Sequence, residues 1–322
     1  MLAIVAPGQG AQTPGFLAPW LGDDESAARL SWLSAVATMD LVEYGVRADA
    51  ATIRDTAVAQ PLLVAAGLVA LHALTDTPSS SVLSCPADVV AGHSVGEIVA
   101  AAAAGVFTEE QAMVFVRERG RQMAAATAVR PTSMTAVVGG DRDEVLAVLA
   151  ACGLEAANHN GQGQIVAAGT VEQLDALAAK PPARARLVPL SVAGAFHTAH
   201  MRPARDHLAG LTRTLVTHDP VVRLLTNADG RVVAKGRDYL GHLVRQVASP
   251  VRWDLCLATM ADLRVTGLLE LPPAGTLAGL AKRNLPGVES FALDSPGQVP
   301  QARAFVARHL HRPRETRREA VR

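Results

Sequence analysis

The pentapeptide Gly92-His93-Ser94-Val95-Gly96 carries the clearest chemistry in this 322-residue chain. It fits G-x-S-x-G, the pattern that presents a serine on a sharp turn between a strand and a helix. Glycine is needed at both ends because strand and helix approach too closely for larger side chains, and the serine Oγ is left exposed. A serine held this way can attack an acyl carbon. The N–H of Val95, at the start of the following helix, is then placed to receive the oxyanion that forms. A glycine-bounded turn whose serine merely caps a helix is the alternative reading of the same residues. The flanks favour catalysis. Residues 88–91 form an apolar run that reads as a buried strand, and the alanine-rich stretch 97–105 has strong helix propensity.

Such a serine needs a base, and the chain has ten histidines. His197 stands apart because Ser191-Val-Ala-Gly-Ala-Phe-His197 is an apolar, small-residue approach to a loop that can carry an imidazole over a cleft. On the residues alone, His93, His159 and His200 remain competitors. No acid between Ser94 and His197 sits at an evident strand end, as the serine, acid, histidine order of α/β-hydrolases would require. Arg117, Arg119 and Arg121 lie on one expected helix, where Arg117 and Arg121 share a face and Arg119 points elsewhere. All three also fit a solvated surface, where arginines mostly reside.

The elements that must position these groups follow an α/β pattern. Residues 2–6, 88–91, 223–226 and 266–271 read as strands alternating with helix-like stretches. Residues 126–190 read differently, as β-α-β-β-α-β, the ferredoxin-like order. The expectation is a hydrolase-like parallel-sheet core from residues 1–125 and 191–322, with a small subdomain of residues 126–190 inserted and a cleft between the two. The arginine-rich tail beyond about residue 308 has little to bury and reads as a frayed terminus.

Bulk properties narrow the class. Thirty basic and thirty acidic residues balance, which speaks against a nucleic-acid binder that relies on a positive field. Cys85, Cys152 and Cys256 show neither disulfide-framework nor metal-ligand spacing, so no metal site is expected and a reducing cytoplasm fits. The apolar stretch 98–106 is too short to span a bilayer, and the first residues lack a signal-peptide pattern, so no membrane partner is expected.

Five motifs in order, Gly8-Gln-Gly-Ala-Gln12, Gly92-His-Ser-Val-Gly-Glu97, Arg119-Gly120, Gly194-Ala-Phe-His197 and Gln246-Val-Ala-Ser-Pro-Val-Arg-Trp253, resemble the malonyl-CoA:acyl-carrier-protein transacylases, the actinobacterial ones in particular. The acyltransferase domains of polyketide synthases are similar. The resemblance reaches to about residue 293. It implies Ser94 as the acylated nucleophile and His197 as its base, with Gln246 orienting the histidine through a carbonyl in place of a triad acid. It implies an oxyanion hole from the backbone N–H groups of Gln9 and Val95, and Arg119 as the clamp on the malonyl carboxylate. Phe196 would exclude an α-methyl branch, while Gln60, His93, Asn158 and Asn160 would contact substrate in the cleft. Malonyl-CoA is the implied substrate and holo acyl carrier protein the implied partner, with no bound cofactor. The sequence Glu270-Leu-Pro-Pro-Ala-Gly275 departs from the family's more glycine-rich loop and leaves its conformation open.

Overall fold

The computed structural model of the protein describes residues 1–75 and 85–310, so most of the basic tail lies outside the described residues. The strands among them are β1 (Leu2–Ala6), β2 (Val89–Gly92), β3 (Thr132–Gly139), β4 (Glu155–His159), β5 (Gln164–Thr170), β6 (Ala185–Pro189), β7 (Arg223–Leu224), β8 (Val251–Arg252), β9 (Gly267–Glu270) and β10 (Glu289–Ala292).

The first sheet is parallel throughout, in the order β10-β9-β1-β2-β7. Parallel strands are covered on both faces, so they read as unbroken apolar runs without alternation. Every residue of β1, β2 and β9 is accordingly buried. At the carboxyl end of β9, the Glu270 carboxylate accepts from the N–H groups of Gly275, Leu277 and Ala278 at 2.8, 2.9 and 2.8 Å. The loop left open by the sequence is thereby fastened to the start of the helix Thr276–Asn284, whose unpaired N–H groups favour an anion.

The helix Thr56–Leu74 is long and apolar enough, by length and composition, to cross a membrane. Its most apolar window is instead 78% buried inside the protein. Asp55 caps it, accepting from Ala57 N–H at 2.8 Å. It packs against the helix Glu109–Thr127, which opens on a capping box between Thr108 and Gln111. The pair meets closely at Gly120, where a β-carbon would come within 2.8 Å of the Thr56 carbonyl oxygen. Gln60 and Arg119 therefore face one another across the contact.

The second sheet runs β6-β3-β5-β4-β8. Its first four strands are antiparallel neighbours, with the helices Arg142–Ala151 and Val171–Ala179 in the two crossovers. The fifth, β8, pairs in parallel with β4 and comes from beyond residue 190, so the chain from 126 to 190 does not complete this sheet alone. The first boundary also shifts, because the helix Glu109–Thr127 runs past residue 125. The strand expected at 223–226 is shorter, because after Leu224 the chain turns and Leu225 bridges back to Val232.

Candidate active site

Ser94 stands between β2 and the helix Gly96–Ala103 with a φ of 55°. A left-handed conformation costs a non-glycine residue energy and persists only where the surroundings enforce it. Here they do. A β-carbon on Gly92 would overlap the Gly96 carbonyl group, and one on Gly96 would overlap the Ala6 carbonyl. Asn227 straps the turn from outside: its amide oxygen accepts from Ser94 N–H at 2.8 Å, and its amide nitrogen donates to the Gly92 carbonyl at 2.8 Å.

His197 Nε2 lies 2.7 Å from Ser94 Oγ, and Nδ1 lies 2.7 Å from the backbone carbonyl oxygen of Gln246. A carbonyl can only accept, so Nδ1 carries the hydrogen and Nε2 turns its lone pair to the serine hydroxyl, which donates. The histidine also has a positive φ, 62°, and its backbone N–H is fastened to the Val247 carbonyl at 3.1 Å. Burial, reinforced by the positive charge of Arg119, pushes its pKa down to about 3, against the opposing pull of the Gln246 carbonyl. The ring is neutral at pH 7, as a proton acceptor must be.

Among the described residues, His197 is the histidine within hydrogen-bond distance of Ser94. His93 points the other way, its Nε2 2.9 Å from Asn160 Oδ1 and its ring edge-on to Trp253 at 5.7 Å. His159 faces Arg142 at 3.0 Å, and His200 lies in the short turn Ala199–Met201.

Of the three neighbouring arginines, Arg117 and Arg121 pair with Glu118 near the surface. Arg119 points inward and is 1% exposed. Nη1 donates to Gln60 Oε1 at 2.7 Å, and Nη2 to Gln246 Oε1 at 2.8 Å, with Ser94 Oγ 3.4 Å away. Among the described residues it has no carboxylate within salt-bridge distance. Burial lowers its pKa to about 10, which leaves it charged at pH 7. A buried cation without an ion pair favours an anionic ligand.

The backbone N–H groups of Gln9 and Val95 have no intramolecular acceptor among the described residues. The Gln9 side chain is tied to the Arg54 carbonyl at 3.1 Å. Its loop lies against the elbow, since a β-carbon on Gly8 would stand 2.9 Å from His93. Backbone donors left free beside a serine are of the kind that a tetrahedral oxyanion requires. Phe196 is buried next to His197.

A cavity of about 240 Å³ opens between the two sheets, lined by the Gln9 loop, His93, Asn158, Asn160, Gln164 and Leu280. The cavity brings His93 and both asparagines to one wall, with Asn158 Oδ1 buried and unpartnered among the described residues. Gln60 is not on that wall and lies deeper, against Arg119. A larger cavity of about 430 Å³, lined by Gly139, Arg142, Asp254 and Asn284, holds none of the groups around Ser94.

Two members of the site escaped the sequence reading. Asn227 follows a two-residue strand and has no motif to mark it. Glu97 belongs to the quoted elbow motif, yet its carboxyl is fully buried and hydrogen-bonded to Gln246 and Asn227 instead of facing solvent. Burial pushes its pKa up to about 8, against the hydrogen bonds it accepts.

A model of the acyl transferase domain family matches residues 4–293. The malonyl CoA-acyl carrier protein transacylase of Mycobacterium tuberculosis is 48% identical over 301 residues, covering 94% of this chain and 99% of the relative. The crystal structure of MCAT from Mycobacterium tuberculosis superposes with a TM-score of 0.88 at 47% identity, covering 94% of this chain and 99% of that one. A type II PKS acyl-carrier protein in complex with its malonyl-transacylase, PlMCAT, gives a TM-score of 0.85 at 28% identity, again covering 94% and 99%. The family model spans most of the sequence, and the curated relative aligns along nearly its whole length. On that ground the chain belongs to the acyl transferase domain family, among the malonyl CoA-acyl carrier protein transacylases.

Proposed function

We propose that the protein moves a malonyl group from malonyl-CoA to the phosphopantetheine thiol of an acyl carrier protein through a malonyl ester on Ser94. The observation that carries this reading is the buried charge of Arg119 beside the serine-histidine pair. In a malonyl thioester one methylene separates the reacting carbonyl from the carboxylate. A guanidinium within a few ångströms of the nucleophile matches that short spacing, and its planar fork suits a carboxylate.

The reaction then runs in two halves. Ser94 Oγ attacks the thioester carbon while His197 Nε2 takes the hydroxyl proton, and the oxyanion is received by the N–H groups of Gln9 and Val95, each donor contributing about 3 kcal/mol. Collapse breaks the carbon–sulfur bond, and coenzyme A leaves with the proton from His197. The carrier thiol next gives its proton to His197 and attacks the ester, and Ser94 recovers its hydrogen as the malonyl-carrier departs. Gln246 holds the imidazole through its backbone carbonyl, so no triad acid is called for. The cavity walled by His93, Asn158 and Asn160 is read as the channel for the pantetheine arm, with Gln60 supporting Arg119 from behind. We read residues 126–190 as the ferredoxin-like lobe roofing that channel, on the core of residues 1–125 and 191–322; the antiparallel order β6-β3-β5-β4 supports this. The setting is cytoplasmic, and the products are extender units for fatty-acid or polyketide synthesis. No cofactor enters the scheme.

Incubation with malonyl-CoA and holo carrier protein tests the proposal. Malonyl-carrier is the expected product, and free malonate in its place would mark a hydrolase and overturn the reading.

Phe196 sets the width of the acyl site. A ring beside the catalytic histidine leaves no room for an α-methyl branch, so Phe196→Ser is expected to raise methylmalonyl-CoA turnover relative to malonyl-CoA by on the order of tenfold, the worth of about one methylene. Competition between the two thioesters, read by mass spectrometry of the acylated enzyme, checks it; an unchanged ratio would remove the steric argument.

A further inference from the structure

We propose that Glu97 is a positioning residue: both its carboxyl oxygens accept hydrogen bonds, one from the Asn227 backbone and one from the Gln246 side chain, and this holds the Gln246 amide with its oxygen toward Arg119. Glu97 lies on the first turn of the helix Gly96–Ala103, three residues past the nucleophile and fully buried. Its Oε1 accepts from Asn227 N–H at 2.6 Å, and its Oε2 accepts from Gln246 Nε2. The same Nε2 faces the Ser94 carbonyl oxygen at 3.1 Å and Asn227 Oδ1 at 3.3 Å. Acceptors thus surround the amide nitrogen of Gln246, and its oxygen is left to receive Arg119 Nη2 at 2.8 Å.

A glutamine amide has nearly the same shape at both ends. Reversed, it would set N–H donors against a guanidinium that can only donate. Ionised, as it is above pH 8, Glu97 removes that alternative, because both of its oxygens then accept and neither donates. Its second bond secures Asn227, whose side chain straps the Ser94 turn at both ends. One buried carboxyl therefore couples the aim of the cation to the pose of the nucleophile.

This inference rests on the malonyl-transfer reading, since the aim of Arg119 matters to acyl groups that end in a carboxylate. The test is Glu97→Gln, compared with the wild type above pH 8, where the Glu97 carboxyl is ionised. The new amide offers one accepting oxygen where two are needed, and the Asn227 N–H belongs to the backbone and cannot turn. Gln246 is the partner that must reverse. Rates of Ser94 acylation by malonyl-CoA and by acetyl-CoA, followed by quenched-flow mass spectrometry, are expected to show the malonyl-to-acetyl ratio falling on the order of 10- to 100-fold, the worth of a hydrogen bond to a charged group. Equal loss of both rates would mean a structural role only and overturn the proposal.

Gln246→Met keeps Glu97 and its bond to Asn227 while deleting the relay, and so serves if Glu97→Gln does not fold. It is expected to lower the ratio by a similar factor, and adding Glu97→Gln should lower it no further. An unchanged ratio in Gln246→Met, or a second full loss in the double variant, would also overturn the relay. Wild-type enzyme that takes no malonyl from malonyl-CoA would sink the transfer reading itself; normal wild-type acylation with an unshifted ratio in the variants would sink this inference alone.

Discussion

Replacing Ser94 with alanine is expected to abolish the malonyl adduct on the protein and to reduce transfer to holo carrier by about 10⁴-fold or more, as removal of a nucleophile does in serine acyl-transfer enzymes. The hydroxyl is the group that His197 Nε2 faces at 2.7 Å, and the covalent route depends on it. Alanine fits the turn without new contacts, because Asn227 grips the backbone of residue 94 and not its side chain. The loss is therefore chemical and not a failure to fold. Intact-protein mass spectrometry with malonyl-CoA reads the result, and an adduct of undiminished yield on the variant would place the nucleophile elsewhere.

Arg119→Ala is expected to lower kcat/KM for malonyl-CoA by about 150- to 5000-fold. Breaking a buried charge pair costs about 3–5 kcal/mol, and each 1.36 kcal/mol is a factor of ten. The pair in question forms only when substrate is bound, since the free site supplies the guanidinium with the amide oxygens of Gln60 and Gln246 and no carboxylate within salt-bridge distance among the described residues. Acetyl-CoA has no carboxylate to lose, so the malonyl-to-acetyl preference should collapse by a similar factor. Because a buried charge is removed, thermal stability should fall little. The opposing cost is the two amide oxygens left without a donor. Acylation rates for both thioesters with a melting curve separate the outcomes; a parallel loss for malonyl and acetyl would assign Arg119 to the scaffold.

Much of this site was legible as short-range pattern. G-x-S-x-G declares its own turn, because glycines at 92 and 96 are forced by backbone crowding that any strand-to-helix elbow meets. The β-α-β-β-α-β reading of residues 126–190 located strands to within a residue or two, since each has its own apolar period and each helix its own cap, as at Asp141 and Thr170. What failed was where local pattern ends. The two-residue β8 has too few residues to show a period and is a strand because β4 lies alongside it. The Thr56–Leu74 helix is apolar enough by composition to cross a membrane, and its packing against Glu109–Thr127 makes it a core element.

The sequence by itself determined the sharp turn at Ser94 and the parallel-sheet setting that displays it, because both depend on contacts within a few residues along the chain. It left four histidines and three arginines in competition. The motifs' resemblance to a known family singled out His197 and Arg119, and the tertiary structure supplies the physical reason, bringing His197 to Ser94 across 103 positions and turning Arg119 toward Gln246 across 127. The Asn227 strap and the Glu97 to Gln246 contact span 133 and 149 positions. A side chain's hydrogen-bond partner at that separation is set by how helices and sheets pack, and the residue's own neighbours in sequence hold no record of it.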